Sequence, residues 1–588
     1  MSPDALFAPS PGDRPRGRGA GDRQGLVTGG PAWGGGAGGG PAWGGRSSWP
    51  RRLGGLVLVV VPLAYLSYLF LYPLGSILWL SLTGTGRLDL SPFWQILVRP
   101  SLRGIIWFSL WQAVASTVLT MILGLPAAYV FARYDFPGKS LARPMVTIPF
   151  VLPAVVVGSA FLALLGPAGP LGVDLRRTVW AILLAHAFYN YAVVVRTVGG
   201  LWAHLDPRLE EAARMLGAGR LRSFREVTLP LLRPALAAAA SIVFLFTFTS
   251  FGVILILGGL RYATIEVEIY RQTTAFLNLG LAAALAVIQM VGVTAILVLY
   301  SRYQERRSVE LSLRPVRETS RRPRTRGEKT LVAGVLGFTA VFLGVPLLLL
   351  VERSFHTASG YGLAYYRALG STRTGSLFVP PVEAIRNSLV FAVVATVIAV
   401  VVGMMAAAVI AYRSDWTARG LDVLLMLPLG TSAVTIGLGF IVALDWPWDL
   451  RTSALLIPLA HSLVAIPFVV RTALPVLRSV RGRLREAAAV LGAPPSRVWR
   501  EIDLPLVARS ALVGAGFAFA ISLGEFGATS FLARPDLPTV PVAIFRLLGR
   551  PGALNLGQAM ALSTILMVVT ALAIGIIERF RLGEGGEF

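Results

Sequence analysis

Two stretches of this chain repeat the same polar and small residues at the same spacing. Glu211-Ala212-Ala213 is followed by Leu216-Gly217-Ala218, Arg222, Arg225-Glu226 and Leu229-Pro230-Leu231, and Glu486-Ala487-Ala488 by Leu491-Gly492-Ala493, Arg497, Arg500-Glu501 and Leu504-Pro505-Leu506. Each residue of the second stretch lies 275 positions after its partner, and twelve of the twenty-one positions from 211 to 231 are identical. A glutamate can pair with a partner's cationic group and alanines let a partner approach closely, so the chemistry on offer is docking rather than bond-making. The same offset pairs His186 with His461, Arg196 with Arg471, Phe251-Gly252 with Phe526-Gly527 and Thr264 with Thr539. The chain is therefore two versions of one unit, and that repeat governs every local reading.

Little else could make or break a bond. The four histidines, at 186, 204, 356 and 461, have no paired metal-ligand spacing, and the equivalence of His186 and His461 points to a shared role in helix packing. The absence of cysteine excludes disulfides, thiolate metal sites and a cysteine nucleophile. Gly138-Lys139-Ser140 has the ending of a phosphate-binding loop, but its first glycine would fall at 133, an arginine, so no nucleotide site is expected. Glu525, in or at the end of an apolar run, is costly in hydrocarbon and must face a cavity or find a partner. Lining of a substrate path by Glu525, with Thr249, Ser250 and Ser522, competes with a structural role; hydroxyls often bond within a membrane helix or across to a neighbour. Glu266 and Glu268 are expected outside the membrane, where solvation is favoured over contact with a substrate-binding protein.

The elements that position these residues follow from composition. The chain has 588 residues, 55% hydrophobic and 14% charged, in long apolar runs that place it in the membrane class. Its formal charge of +24 sits on arginines in short segments between those runs, which indicates topology and contact with anionic lipid headgroups rather than nucleic acid. A spanning helix needs about 20 apolar residues. Such runs fall near 53–82, 104–132, 143–165, 178–199, 230–257 and 280–301, then 331–351, 387–412, 421–443, 452–474, 507–532 and 557–577. In hydrocarbon these must be helices, giving an all-α polytopic protein of about twelve spans in two six-helix repeats. Residues 1–50, rich in Gly, Pro and Arg, form an expected disordered tail. Domains are expected at 51–301 and 331–580, joined by a basic linker at 302–330 that holds ten Lys and Arg.

Basic short loops stay cytoplasmic, which puts both termini, the linker and both repeated loops on the inner side. An even number of spans per repeat leaves the repeats parallel. Each loop carries an alanine-rich helix ending at a glycine suited to a C-cap, then restarts at a Leu-Pro fit for the first turn of the next span.

The pattern Glu-Ala-Ala, three residues, Gly, nine residues, Ile, one residue, Leu-Pro resembles the EAA signature of ATP-binding-cassette importer permeases. The second copy matches it fully through Gly492, Ile502 and Leu504-Pro505; the first carries Val227 for Ile. Covering about residues 50–580, the resemblance implies a type I importer fold of two parallel permease repeats in a bacterial inner membrane. It implies that Glu211, Ala212, Ala213 and Gly217, with Glu486, Ala487, Ala488 and Gly492, dock two copies of a cytoplasmic ABC ATPase. ATP and magnesium would bind that ATPase, this chain would hold no cofactor or metal and catalyse nothing, and an extracytoplasmic binding protein would deliver substrate. The stretches from Phe251 to Gly259 and Tyr262 to Tyr270, with Ser522 to Gly527 and Thr539 to Phe545, resemble thiamine-type permeases and, more loosely, ferric-iron permeases. A thiamine or related cationic nutrient importer leads, with ferric iron second. An ion-coupled secondary transporter is the alternative of another class, against which the parallel repeats and paired loops argue.

Overall fold

The computed structural model describes residues 49–83, 87–167, 169–170, 172–259, 261–307, 314–372, 375–413, 415–479 and 482–581. The expected disordered tail, but for residues 49 and 50, and linker residues 308–313 lie outside them. The first repeat comprises α1 (Leu56–Leu82), α2 (Pro100–Arg133), α3 (Lys139–Val151), α4 (Ala154–Leu165), α5 (Val179–His204), α6 (Arg208–Met215), α7 (Leu229–Phe248), α8 (Gly252–Leu257), α9 (Ile265–Thr274) and α10 (Leu279–Arg307). The second comprises α11 (Arg326–Phe355), α12 (Pro381–Tyr412), α13 (Trp416–Gly430), α14 (Ala433–Ala443), α15 (Leu456–Ser479), α16 (Gly482–Val490), α17 (Leu504–Gly524), α18 (Thr529–Leu532), α19 (Val540–Leu548) and α20 (Ala553–Arg581). Among the described residues ten helices are long and apolar enough to cross a membrane, and the bent pairs α3/α4 and α13/α14 raise the number to twelve.

Four of the expected continuous spans are broken. The runs at 143–165 and 421–443 bend by 101° and 103°. The runs at 230–257 and 507–532 stop at Phe248 and Gly524 before short helices resume. Apolar length alone cannot reveal such breaks, because the residues that cause them are single prolines and polar caps. Pro153 offers no N–H and drives Leu152 into an extended conformation (φ −63°, ψ 142°). Ser432, also extended, caps α14 by accepting from the Val434 amide at 3.1 Å.

Interrupted backbone at membrane depth is tolerated where protein buries it, and the four breaks adjoin one another. A Cβ placed on Gly252 would lie 3.1 Å from Ala154 Cβ and 3.2 Å from the Phe526 ring; on Gly524, 3.3 Å from Pro153; on Gly527, 2.8 Å from Ala433 Cβ. The repeated Phe-Gly pairs thus meet across the two halves, and the equivalent Phe251 and Phe526 rings stack with centroids 5.3 Å apart. Tyr270 and its counterpart Phe545 close over this pair.

The halves share packing as well as sequence. In the first, Gly124 of α2 lies against Val194 of α5; in the second, Gly403 of α12 lies against Val469 of α15, each approach too close for a larger side chain. Val469 follows Val194 by 275 residues whereas Gly403 follows Gly124 by 279, so the repeats differ by four residues between these helices. The first helix of each half crosses to the other: α1 places Pro73 and Ile77 against Gly439 of α14 and bonds Tyr65 to Leu459 and Ser462. In return α11 bonds Thr339 to Tyr191 of α5 at 2.9 Å and packs Phe342 on Phe188 and Tyr191. The two halves therefore interlock.

Candidate functional site

The twin loops are built alike. Helices α6 and α16 end in the same motif: Gly217 and Gly492 adopt φ of +89° and +77°, and the amides that follow fold back on the last turn. Ala218 N donates to Ala213 O at 3.0 Å and Gly217 N to Arg214 O at 3.0 Å; Ala493 N donates to Ala488 O at 2.9 Å and Gly492 N to Ala489 O at 3.0 Å. This is the six-to-one and five-to-two pattern of a Schellman cap, which requires the left-handed conformation that glycine adopts without strain. Past the glycine, Arg222 pairs with Glu226 and Arg497 with Glu501, each at 3.0 Å.

Both chains then pass through a π-helical turn, Phe224–Thr228 and Trp499–Asp503, ending two residues before Pro230 and Pro505. A third such turn, Ser67–Leu71, stands in the same relation to Pro73. Proline cannot donate to the carbonyl four residues back and its ring crowds that carbonyl, and a widened turn relieves both faults.

Each cap leaves two apolar side chains standing in the open. Met215 and Leu216 are 89% and 88% exposed, Val490 and Leu491 87% and 86%. Glu211, Ala212, Glu486 and Ala487 are exposed beside them, and Ala213 and Ala488 are half-buried. The sequence singled out Leu216 but not Met215 or Val490, whose identities differ between the copies.

The neighbour of the expected glutamate holds the first loop in place. Glu210 accepts from Thr228 Oγ1 at 2.6 Å and lies 3.6 Å from the buried Arg133 of α2. The corresponding residue of the second loop is Arg485, so identity between copies could not flag it. Among the described residues the linker braces the first loop: Arg314 N donates to His204 O at 3.0 Å, its guanidinium pairs with Asp206 at 2.7 Å, and Arg321 N donates to Arg133 O at 3.0 Å. Arg208 N and the Arg314 guanidinium hold the Asp206 carboxyl below the ordinary aspartate range.

At the helix breaks the two repeated histidines do one job. His186 Nε2 meets Ser250 Oγ at 2.9 Å, and its Nδ1 meets Ser116 Oγ at 3.0 Å. His461 Nε2 meets Thr529 Oγ1 at 2.7 Å and Glu525 Oε2 at 3.3 Å, and its Nδ1 meets Ser522 Oγ at 2.7 Å. Ser250 and Glu525 are counterparts, so the asymmetry of the sequence becomes a buried carboxylate at one break and a hydroxyl at the other. Glu525 also accepts from the amides of Ala528 at 2.8 Å and Thr529 at 3.0 Å, capping α18. Thr249 and Ser250 are half-buried at the first break; Ser522 and Glu525 are buried at the second. Thr249 bonds back to Leu245 O at 2.8 Å.

The expectation that Glu266 and Glu268 are solvated is corrected. They are 0% and 4% exposed. Glu266 accepts from Gln289 of α10, and Glu268 accepts from Gln272 at 2.6 Å with Arg271 at 3.7 Å. Their helix α9 starts under the amide-to-hydroxyl bond of Ile265 to Ser109 (2.9 Å), as α19 starts under that of Val540 to Ser388 (2.8 Å). An outer segment folded back against the bundle buries acids that a linear reading assigns to a loop.

Residues 116–309 and 399–580 each match the family model of the binding-protein-dependent transport system inner membrane component. The chain belongs to that family. Two matched segments in one polypeptide make it a fused double permease of the ABC importer type, a multi-pass inner-membrane protein. Among its relatives, the probable ABC transporter permease protein y4fN of Sinorhizobium fredii is 26% identical over 90% of this chain and 97% of its own length. The thiamine transport system permease protein ThiP of Brucella abortus is 28% identical over 80% of this chain and 86% of its own. The sulfate transport system permease protein CysT of Salmonella typhimurium is 32% identical over 37% of this chain and 80% of its own. The match to a half-length relative is what a fused pair of permease units should give.

Proposed function

We propose that this permease is the membrane subunit of an ATP-driven importer of thiamine or a related cationic nutrient. Its two EAA loops lie on the cytoplasmic side with both termini and each engages one copy of a separate ABC ATPase, which binds ATP and magnesium. An extracytoplasmic binding protein hands substrate to the opposite end. The observation that carries the docking reading is the pair of equivalent helices with the same Schellman cap, each presenting a glutamate, two alanines and two bare apolar side chains. Such apolar knobs are left uncovered by the described residues, and a cleft in another protein is what would cover them.

Closure of the ATPase dimer would move both loops together. The π turn and Leu-Pro join each loop to α7 or α17 as a continuous helix, so the motion reaches the breaks at Thr249–Phe251 and Glu525–Gly527 through a rigid element. Thr249, Ser250, Ser522 and Glu525 stand there, and Glu525 supplies negative charge for a cationic substrate. The named substrate of the ThiP relatives supports thiamine. Uptake of labelled thiamine by cells lacking their own carrier, supplied with this permease and its neighbouring ATPase and binding protein, tests the reading. Saturable, ATP-dependent uptake abolished by charge reversal at Glu211 and Glu486 is expected, and uptake unchanged in that variant refutes docking.

A further inference from the structure

A cleft of about 610 Å³ opens between the start of α2 and helix α9, lined by none of the residues assigned above to the docking loops or the substrate path. Arg99 and Pro100 begin α2, whose far end, Arg133, bonds to Leu205 beside the first loop, so the cleft lies at the end of the bundle opposite the loops. Three guanidinium groups line it, from Arg99, Arg261 and Arg271, against one carboxylate, Glu268. That carboxylate is already engaged by Gln272 and Arg271. Arg261 lies over the Tyr262 ring at 5.5 Å and Arg271 over the Phe276 ring at 6.0 Å, which holds the guanidinium groups in place without consuming their N–H donors. Among the described residues neither Arg99 nor Arg261 has a carboxylate at ion-pair distance.

The apolar wall of the cleft, Ile105 and Phe108, adjoins a stripe of exposed side chains along α2: Trp107, Trp111, Val114, Val118 and Ile122. Spaced at three and four residues, these face hydrocarbon on one side of the helix, and tryptophan at the start of a span marks headgroup depth. The cleft therefore joins a cationic head site to a lipid-facing surface. In the second repeat the positions equivalent to Arg99 and Arg261 hold Phe378 and Asp536, so the repeat architecture does not require the cluster. We propose that this cleft binds the phosphate of an anionic phospholipid, one per chain, with its acyl chains along the Trp107–Ile122 stripe.

The test is native mass spectrometry of the full chain in detergent, titrated with phosphatidylglycerol, phosphatidylethanolamine and water-soluble glycerol phosphate. One tightly retained phosphatidylglycerol is expected in the unaltered chain. R99Q/R261Q should weaken it by about fivefold for each arginine removed, the scale of one basic residue at an anionic surface. R103Q, which removes one positive charge a turn along from Arg99 without lining the cleft, should leave it unchanged. Undiminished retention in R99Q/R261Q, an equal loss in R103Q, or glycerol phosphate binding as tightly as the lipid each overturns the proposal. So does a double variant that keeps its lipid but loses association with a soluble acidic protein, which would make the cleft a protein contact.

Discussion

Replacing Gly217 and Gly492 separates the conformational reason for these glycines from a steric one. Both sit at strongly positive φ, and among the described residues nothing beyond each glycine's own chain neighbours lies within 4 Å of where a Cβ would stand. Alanine therefore meets no clash in the chain alone and suffers only the left-handed penalty, about 1–2 kcal/mol. Asparagine tolerates that conformation far better. If a partner needs the capped loop, each alanine weakens its binding by up to about 5- to 30-fold. The loops share no partner among the described residues, so both together weaken it by up to about 30- to 1000-fold. Affinity of the ATPase for the permease in lipid nanodiscs reads this directly. Asparagine variants near the unaltered chain, with alanine variants impaired, are expected. Asparagine worse than alanine would mean that the glycine makes room for the partner, and both variants at full affinity would refute the cap argument.

Three further outcomes follow from the packing. Glu210→Ala removes the acceptor of Thr228 and the partner of Arg133, and with the carboxylate 27% exposed it should lower unfolding stability by about 1–2 kcal/mol, whereas Glu211→Ala should not; thermal unfolding in detergent distinguishes them, and equal effects would contradict the anchor. Gly527→Ala puts a Cβ 2.8 Å from Ala433 Cβ at the junction of the breaks and should cost about 1–3 kcal/mol by overpacking; an unchanged melting temperature would show that the breaks are loosely packed. Glu525→Gln removes the charge beside His461 and should reduce uptake while the ATPase stays bound; loss of the assembled complex in a pull-down would instead assign Glu525 to folding alone.

The sequence was most informative where the same physics acted twice. Gly217 and Gly492 announce their caps because a helix followed by a left-handed residue favours glycine. His186 and His461 announce a shared packing role because both halves need a polar tie between α5 or α15 and a break. The breaks themselves were hidden: hydropathy counts apolar residues, and Pro153, Ser432 and Glu525 each interrupt a run that stays apolar on either side. The interlocking of α1 and α11 with the opposite halves was equally invisible, since linear order says nothing about which half an apolar helix packs upon. Glu210 escaped notice because its counterpart is Arg485, and Glu266 because it sits in a segment too short to span yet folded inward.

The absence of cysteine in the natural sequence makes the decisive measurement simple. Single-cysteine variants Met215→Cys and Val490→Cys place a thiol at the bare tip of each loop, where exposure is near 90% in both. A membrane-impermeant maleimide applied to inverted and right-side-out vesicles should label both tips only from the cytoplasmic face, and bound ATPase should protect both. Labelling of the two tips from opposite faces, or full reactivity of either in the presence of saturating ATPase, would contradict the claim that twin loops grip a shared motor.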